Sequence, residues 1–195
     1  ETRFKPTDKY RKDCCKSFGI DPQSKIILAP RRVDPKNGLM TLINAIPHIN
    51  SGSSGFSVVI AGGGPDELVR HYQEEAKQLG IAHLLTITGV LPYDVMPRLM
   101  PSADIVVIPS FYEAVSLAAL EALSCGVPVV ASDVGGLPYI VNSNNGILVP
   151  PGDPVVLATA LSQLLANETS RLEKGHNGRQ LVLDKFTWDR VAKDT

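Results

Sequence analysis

Glu113 and Glu121 are the residues whose type and spacing are best suited to chemistry in this chain. They stand eight positions apart between two β-branched apolar runs, and an Ala/Leu-rich stretch at 117–124 carries the second. The runs read as buried parallel strands and the stretch as a helix. Glu113 is therefore expected in the loop at a strand's carboxyl end, with Glu121 on the helix that follows. In open α/β sheets ligands bind at that edge, where loop amides and the positive end of a helix can hold an anion. Were most of the intervening residues helical, the carboxylates would lie roughly 10 Å apart along the axis, at ~1.5 Å per residue. That is long for a glycosidase pair, whose carboxylates sit about 5 to 9.5 Å apart. It suits two acids touching different parts of one elongated ligand with an anionic middle, and a nucleotide sugar has that layout. The plainer account is one Glu at a helix start and another on a solvated face.

The elements needed to position these acids alternate along the chain. Strand candidates fall at 25–29, 56–61, 84–88, 104–109, 127–131 and 146–149. Helical candidates fall between them at 39–49, 66–79, 96–100, 117–124 and 138–141, one more follows at 155–166, and a further segment runs over 170–185. Such alternation argues for an α/β fold, a Rossmann-like three-layer α/β/α domain with a parallel sheet of about six strands and right-handed crossovers. A chain of 195 residues with 44% hydrophobic composition can bury one sizeable core. The net charge of −1 gives no general field toward nucleic acid or an anionic membrane. No stretch has the length and apolarity of a transmembrane helix, and the first residues do not read as a signal peptide. Cys14, Cys15 and Cys125 do not make a disulfide framework, which points to a reducing cytosol. The four histidines show no zinc-ligand spacing.

The E-x7-E pair, with PSFYE ending at Glu113 and EALSCGVPVVAS running from Glu121 to Ser132, resembles the C-terminal domain of a GT-B-fold, family 4 retaining glycosyltransferase. The likeness extends through RRVDPKNG at 31–38, VVIAGGGP at 58–65, ITGVLP at 87–92, DVGGLP at 133–138, NNGILVPPGD at 144–153 and KFTWDRVA at 185–192. No one motif is decisive, whereas their order and spacing together are specific. The resemblance implies one half of a GT-B fold. Residues 1–12 would be the tail of an inter-domain linker, and 13–195 the nucleotide-sugar-binding domain. The N-terminal acceptor domain would be absent.

The resemblance also implies roles. Glu113 would sit by the donor sugar and support an oxocarbenium-like transition state, and Arg32 would steady the diphosphate as it leaves. Glu121 would hold the ribose hydroxyls. Asn37 stands where a diphosphate-binding lysine is usual, with Lys36 beside it as a substitute. Gly63 faces the nucleotide cleft, Gly89 and Val90 match the region that meets the base, and Gly135 and Gly136 lie in a loop beside the donor sugar. Ser116 can cap the helix begun by Leu117 and still leave amides free for the diphosphate. Ala114 replaces a usual glycine and Tyr139 a frequent glutamate, while Trp188 reads as a packing anchor. The implied donor is a UDP-, GDP- or ADP-sugar, with neither metal nor cofactor. The acceptor would be a sugar, lipid or other small molecule bound through the missing half. The expected location is cytoplasmic, extending to peripheral contact with the inner face of a membrane for a lipid-linked acceptor.

Three other classes fit parts of the pattern. An inverting GT-B enzyme or sugar-epimerase relative shares the architecture. A non-catalytic nucleotide-binding module accommodates Asn37, Ala114 and Tyr139. A dinucleotide oxidoreductase ranks below both, because the first strand runs into Arg31-Arg32 and not into a glycine fingerprint.

Overall fold

The computed structural model describes residues 3–52 and 55–187. Six strands form one sheet: β1 Lys25–Ala29, β2 Phe56–Ile60, β3 Leu85–Ile87, β4 Ile105–Ile108, β5 Val129–Ser132 and β6 Gly146–Val149. Their order is β3-β2-β1-β4-β5-β6, and every adjacent pair is parallel. The helices are α1 Arg11–Phe18, α2 Leu39–Ala45, α3 Asp66–Gln78, α4 Met96–Leu99, α5 Leu117–Ser124, α6 Leu137–Ile140, α7 Pro154–Ala166 and α8 Glu168–Lys185.

The strand sequences explain why helices cover both faces. Successive strand side chains point to opposite sides, so a strand apolar at every position must be covered twice. Ile27, Val58, Ile105, Val107 and Val130 join α2, α3 and α7 in one core. Their neighbours Ile26, Leu28, Val59, Val106 and Ile108 join α1, α4, α5, α6 and α8 in the other. This is the expected three-layer α/β/α arrangement.

Prolines set several boundaries. The segment expected at 127–131 starts as a strand only at Val129, because Pro128 has no N–H to donate; its carbonyl accepts from Val106 N at 3.0 Å. The helix expected at 39–49 ends at Ala45 and tightens into a 3₁₀ turn, Ile46–His48, at Pro47.

Helix α1 was not legible as a helix, since Arg11, Lys12, Asp13, Lys16 and Ser17 leave little apolar periodicity. It is nevertheless docked, with Cys14 and Cys15 buried and all three cysteines free. Arg11 donates to the carbonyls of Ser102 (2.6 Å) and Ser24 (2.8 Å) and to the Asp104 carboxylate (2.9 Å). Asp104 also accepts from Ile26 N at 2.9 Å and lies 3.6 Å from both Lys25 Nζ and Arg171 Nη2. This network ties α1, β1, β4 and α8 together at the amino edge of the sheet. The same charges, paired to one another, line a hollow of about 430 Å³ there. Among the described residues no helix is long and apolar enough to cross a membrane. Trp188, expected as a packing anchor, lies outside the described residues.

Candidate functional site

The chain leaves β1 toward β2 and β3, but β4 toward β5 and β6, so the connections diverge between β1 and β4. A crevice opens at the carboxyl edge where strand order reverses in this way. Arg31 follows β1 and Glu113 follows β4, and here they meet. The Arg31 guanidinium donates to Glu113 Oε2 and, at 3.0 Å, to Ser116 Oγ. Both charged side chains are only 14% exposed. Burial lowers the Arg31 pKa from its ordinary value, and the adjacent Glu113 carboxylate opposes the shift. Among the described residues Arg31 Nε has no hydrogen-bond partner.

Backbone contacts of glycines hold this corner together. Gly135, at φ 53°, lies so close to the Glu113 carbonyl that an added Cβ would sit 1.8 Å from its oxygen. Gly136 N donates to the same carbonyl at 2.9 Å, and its own Cβ would fall 2.0 Å from the Ala114 oxygen. The loops after β4 and β5 are thus in van der Waals contact, and any side chain between them would force them apart. Gly62 and Gly64 pack likewise on the carbonyls of Arg31 and Val33, while Gly63 leaves room for Val90. The three-glycine run therefore joins the loops after β1, β2 and β3.

Ser116 caps α5 by accepting from Ala119 N at 3.4 Å. Leu117 starts the helix and is 59% exposed. About one turn further along the helix, Glu121 accepts from the Tyr93 hydroxyl at 3.0 Å. Burial raises the Glu121 pKa, and the Tyr93 hydrogen bond and Arg3 pull it partly back. Because only part of the 113–121 interval is helical, the axial estimate of the glutamate separation does not apply as it stands.

Not every expected residue points at the crevice in the same way. Arg32 is exposed, and its carbonyl accepts from Asn37 Nδ2 at 2.8 Å. Asn37 is 8% exposed, so it braces the loop. Lys36 is exposed near Asp34, whose carboxylate caps the 3₁₀ turn Pro35–Asn37. Gly89, at φ 72°, lets Val90 project outward with 85% exposure. Sequence reasoning missed Arg31 as the partner of Glu113 and Tyr93 as the partner of Glu121. The doubled arginine was a signal for the first; for Tyr93 nothing in the spacing announced a contact. A cleft of about 510 Å³ beside Glu113 is bounded by Gly135, Gly136, Tyr112, Val115 and Tyr139. Among the described residues no cluster of His, Cys, Asp or Glu is arranged to hold a metal ion.

Comparison with known proteins gives this geometry a family. The chain is 37% identical over 182 residues to an uncharacterized glycosyltransferase of Methanocaldococcus jannaschii, covering 92% of this chain and 46% of the relative. It is 31% identical over 198 residues to the GDP-mannose-dependent alpha-(1-6)-phosphatidylinositol monomannoside mannosyltransferase of Mycobacterium tuberculosis, covering 97% of this chain and 51% of that protein. The chain thus spans about half the length of these curated relatives. Among solved structures, Anabaena HepE in complex with UDP-glucose superimposes with a TM-score of 0.90 at 21% identity, over 99% of this chain and 53% of that one. The family model for glycosyl transferases group 1 matches residues 11–181, from the start of α1 almost to the end of α8. The Arg31–Glu113 corner and the Glu121 helix both lie inside that match, and the chain belongs to the glycosyl transferases of group 1.

Proposed function

We propose that the chain is the donor-binding half of a family 4 retaining glycosyltransferase, transferring a hexosyl group from a nucleoside diphosphate sugar. The observation that carries this is the placement of Arg31, Glu113 and the capped start of α5 at the crevice between β1 and β4. Support for a nucleotide-sugar donor comes from the relative named as GDP-mannose-dependent and the neighbour solved with UDP-glucose. In this reading the exposed Arg32 and the amides at the start of α5 take up the charge that develops on the departing diphosphate, without a metal ion. Arg31 holds one oxygen of Glu113, leaving Oε1 for the donor sugar. Glu121 accepts from the ribose hydroxyls, and Gly89 and Val90 border the base. The acceptor, a sugar, lipid or other small molecule, approaches from the other half of a cytoplasmic enzyme, which closes the cleft and excludes water.

Calorimetry of this chain with UDP, GDP, ADP and their sugars tests the assignment. Weak binding of a nucleoside diphosphate without transfer to any acceptor is expected; robust transfer by residues 1–195 alone would contradict the two-half arrangement. Arg32→Ala should weaken diphosphate binding about ten- to hundredfold, the equivalent of about 1.5 to 3 kcal/mol for a charge-assisted hydrogen bond, and leave the free nucleoside unaffected. Arg31→Ala should instead lower turnover of the full-length enzyme by releasing Glu113. A reversed pattern would exchange the two arginines' roles.

A further inference from the structure

Tyr93 lies outside every motif that marked the site, yet it is the residue that touches Glu121. It opens the 3₁₀ turn Tyr93–Val95 between β3 and α4, and its hydroxyl donates to Glu121 Oε1 at 3.0 Å. Its ring is also contacted by Arg3 and Phe4 of the N-terminal segment. The Arg3 guanidinium lies 4.9 Å from the ring centroid. Phe4 meets it edge-on at 6.2 Å and is itself 6% exposed. An Arg over a Tyr face and an edge-to-face aromatic pair are both attractive arrangements. A residue that leads into the domain is thus connected through one aromatic ring to a carboxylate on the helix bordering the crevice.

We propose that Tyr93 is a positioning residue for the nucleotide, fixing the Glu121 carboxylate through its hydroxyl while Arg3 and Phe4 fix its ring. The inference rests on the reading of Glu121 as the ribose acceptor. A carboxylate has two oxygens and several lone pairs, so Oε1 can be held by the phenol while Oε2 remains available to a hydroxyl pair. Without that hold, a half-buried carboxylate on a three-torsion side chain must be ordered by the ligand, and the affinity drops accordingly. The same contact has a pH signature. Tyr93 and Arg3 are the groups that favour the ionised form of Glu121 against its burial, and the adjacent Cys125 thiol, pushed up to about 12, stays neutral. Removal of the hydroxyl raises the pH at which Glu121 becomes a competent acceptor.

The test is calorimetric titration of this chain and its Tyr93→Phe, Arg3→Ala and Glu121→Gln variants with whichever of UDP, GDP and ADP binds, across about pH 4.5 to 8, a range extending upward from the ordinary glutamate value. Tyr93→Phe keeps the ring and its contacts on an exposed residue, so the fold should be retained. The expected result is a severalfold weaker dissociation constant for Tyr93→Phe, with the affinity-against-pH midpoint displaced upward. A smaller displacement in the same direction is expected for Arg3→Ala, and no glutamate-dependent midpoint for Glu121→Gln. Unchanged affinity and midpoint in Tyr93→Phe, with Glu121→Gln still weak, would overturn the positioning role and leave the functional reading intact. Tighter binding by Tyr93→Phe would also overturn it, because the phenol would then compete with the ligand. Wild-type binding by Glu121→Gln would remove the functional reading and this inference together.

Discussion

In the full-length enzyme, Glu113→Gln is expected to lower kcat by roughly 10²- to 10³-fold, the scale for removing one preorganised group that stabilises transition-state charge. Donor affinity should change far less, because in the proposed role the interaction is realised mainly as positive charge grows on the sugar. The pairing with Arg31 sharpens this expectation. Both side chains are 14% exposed, so the pair sits where charges are weakly screened. The amide oxygen of a glutamine can still accept from Arg31, which preserves the shape of the corner. What it cannot do is balance the guanidinium, and the reacting sugar would then face a net positive neighbour. An unbalanced charge at a buried pair also destabilises the fold, by about 3 to 5 kcal/mol when a partner is removed outright. Kinetics and thermal unfolding must therefore be measured on the same samples. A kcat loss in a variant that remains folded at the assay temperature supports the catalytic role, whereas unchanged turnover would remove it.

Glu121→Gln should behave in the opposite sense. An amide offers only one accepting atom, so nucleotide affinity weakens while turnover at saturating donor is largely kept. Stability of the unliganded protein should move the other way. Burial raises the folded-state pKa of Glu121 above its unfolded value. The associated stability is fully present below the unfolded pKa and is lost as pH rises through the folded one. Above the folded-state pKa the ionised carboxylate is thus a liability in the empty domain, and glutamine relieves it. Near pH 4, about where an unfolded glutamate titrates, the difference between variant and wild type should shrink.

The layers of this fold were readable because every strand is a short β-branched run and most helices carry an apolar face. Lys25–Ala29, Leu117–Ser124 and Gly146–Val149 came out with the boundaries the sequence suggests. Boundaries failed at Pro47 and Pro128, where the missing N–H shortens an element that composition alone extends. Helix α1 was missed because its stability comes from Arg11 and the distant Asp104, and no local pattern reports that contact. The same limit applies at the site. Glu113 and Glu121 stood out by type and spacing, but their partners Arg31 and Tyr93 are 82 and 28 positions away. Of the doubled arginine, Arg31 turns inward while Arg32 stays exposed with its carbonyl held by Asn37. The glycines of the 62–64 and 135–136 loops were visible as special positions, while their purpose was not. They admit neighbouring backbone, a long-range property that one segment cannot disclose.

Gly135→Ala should be among the most damaging single-methyl changes available in this chain, and Gly80→Ala is its control. Both glycines have positive φ, 53° and 72°, so each substitution carries the left-handed backbone penalty of about 1 to 3 kcal/mol. They differ in surroundings: among the described residues nothing lies within 4 Å of the Cβ position at Gly80, whereas at Gly135 it falls 1.8 Å from the Glu113 carbonyl oxygen. No rotamer change can relieve a clash between a Cβ and a backbone oxygen, so the loop after β4 or the loop after β5 must move. Overpacking of this kind adds roughly 1 to 3 kcal/mol. At about 2 to 4 °C per kcal/mol for a domain of this size, Gly135→Ala should lower Tm by several degrees more than Gly80→Ala. The functional consequence should be larger still, because the carbonyl that yields belongs to Glu113 itself. A shift of about 1 Å at a reacting group is enough for a hundredfold loss of rate. Full-length Gly80→Ala should therefore retain its turnover, while Gly135→Ala loses most of it at temperatures where both variants are folded. Equal turnover in the two would show that the position of the Glu113 loop does not govern transfer.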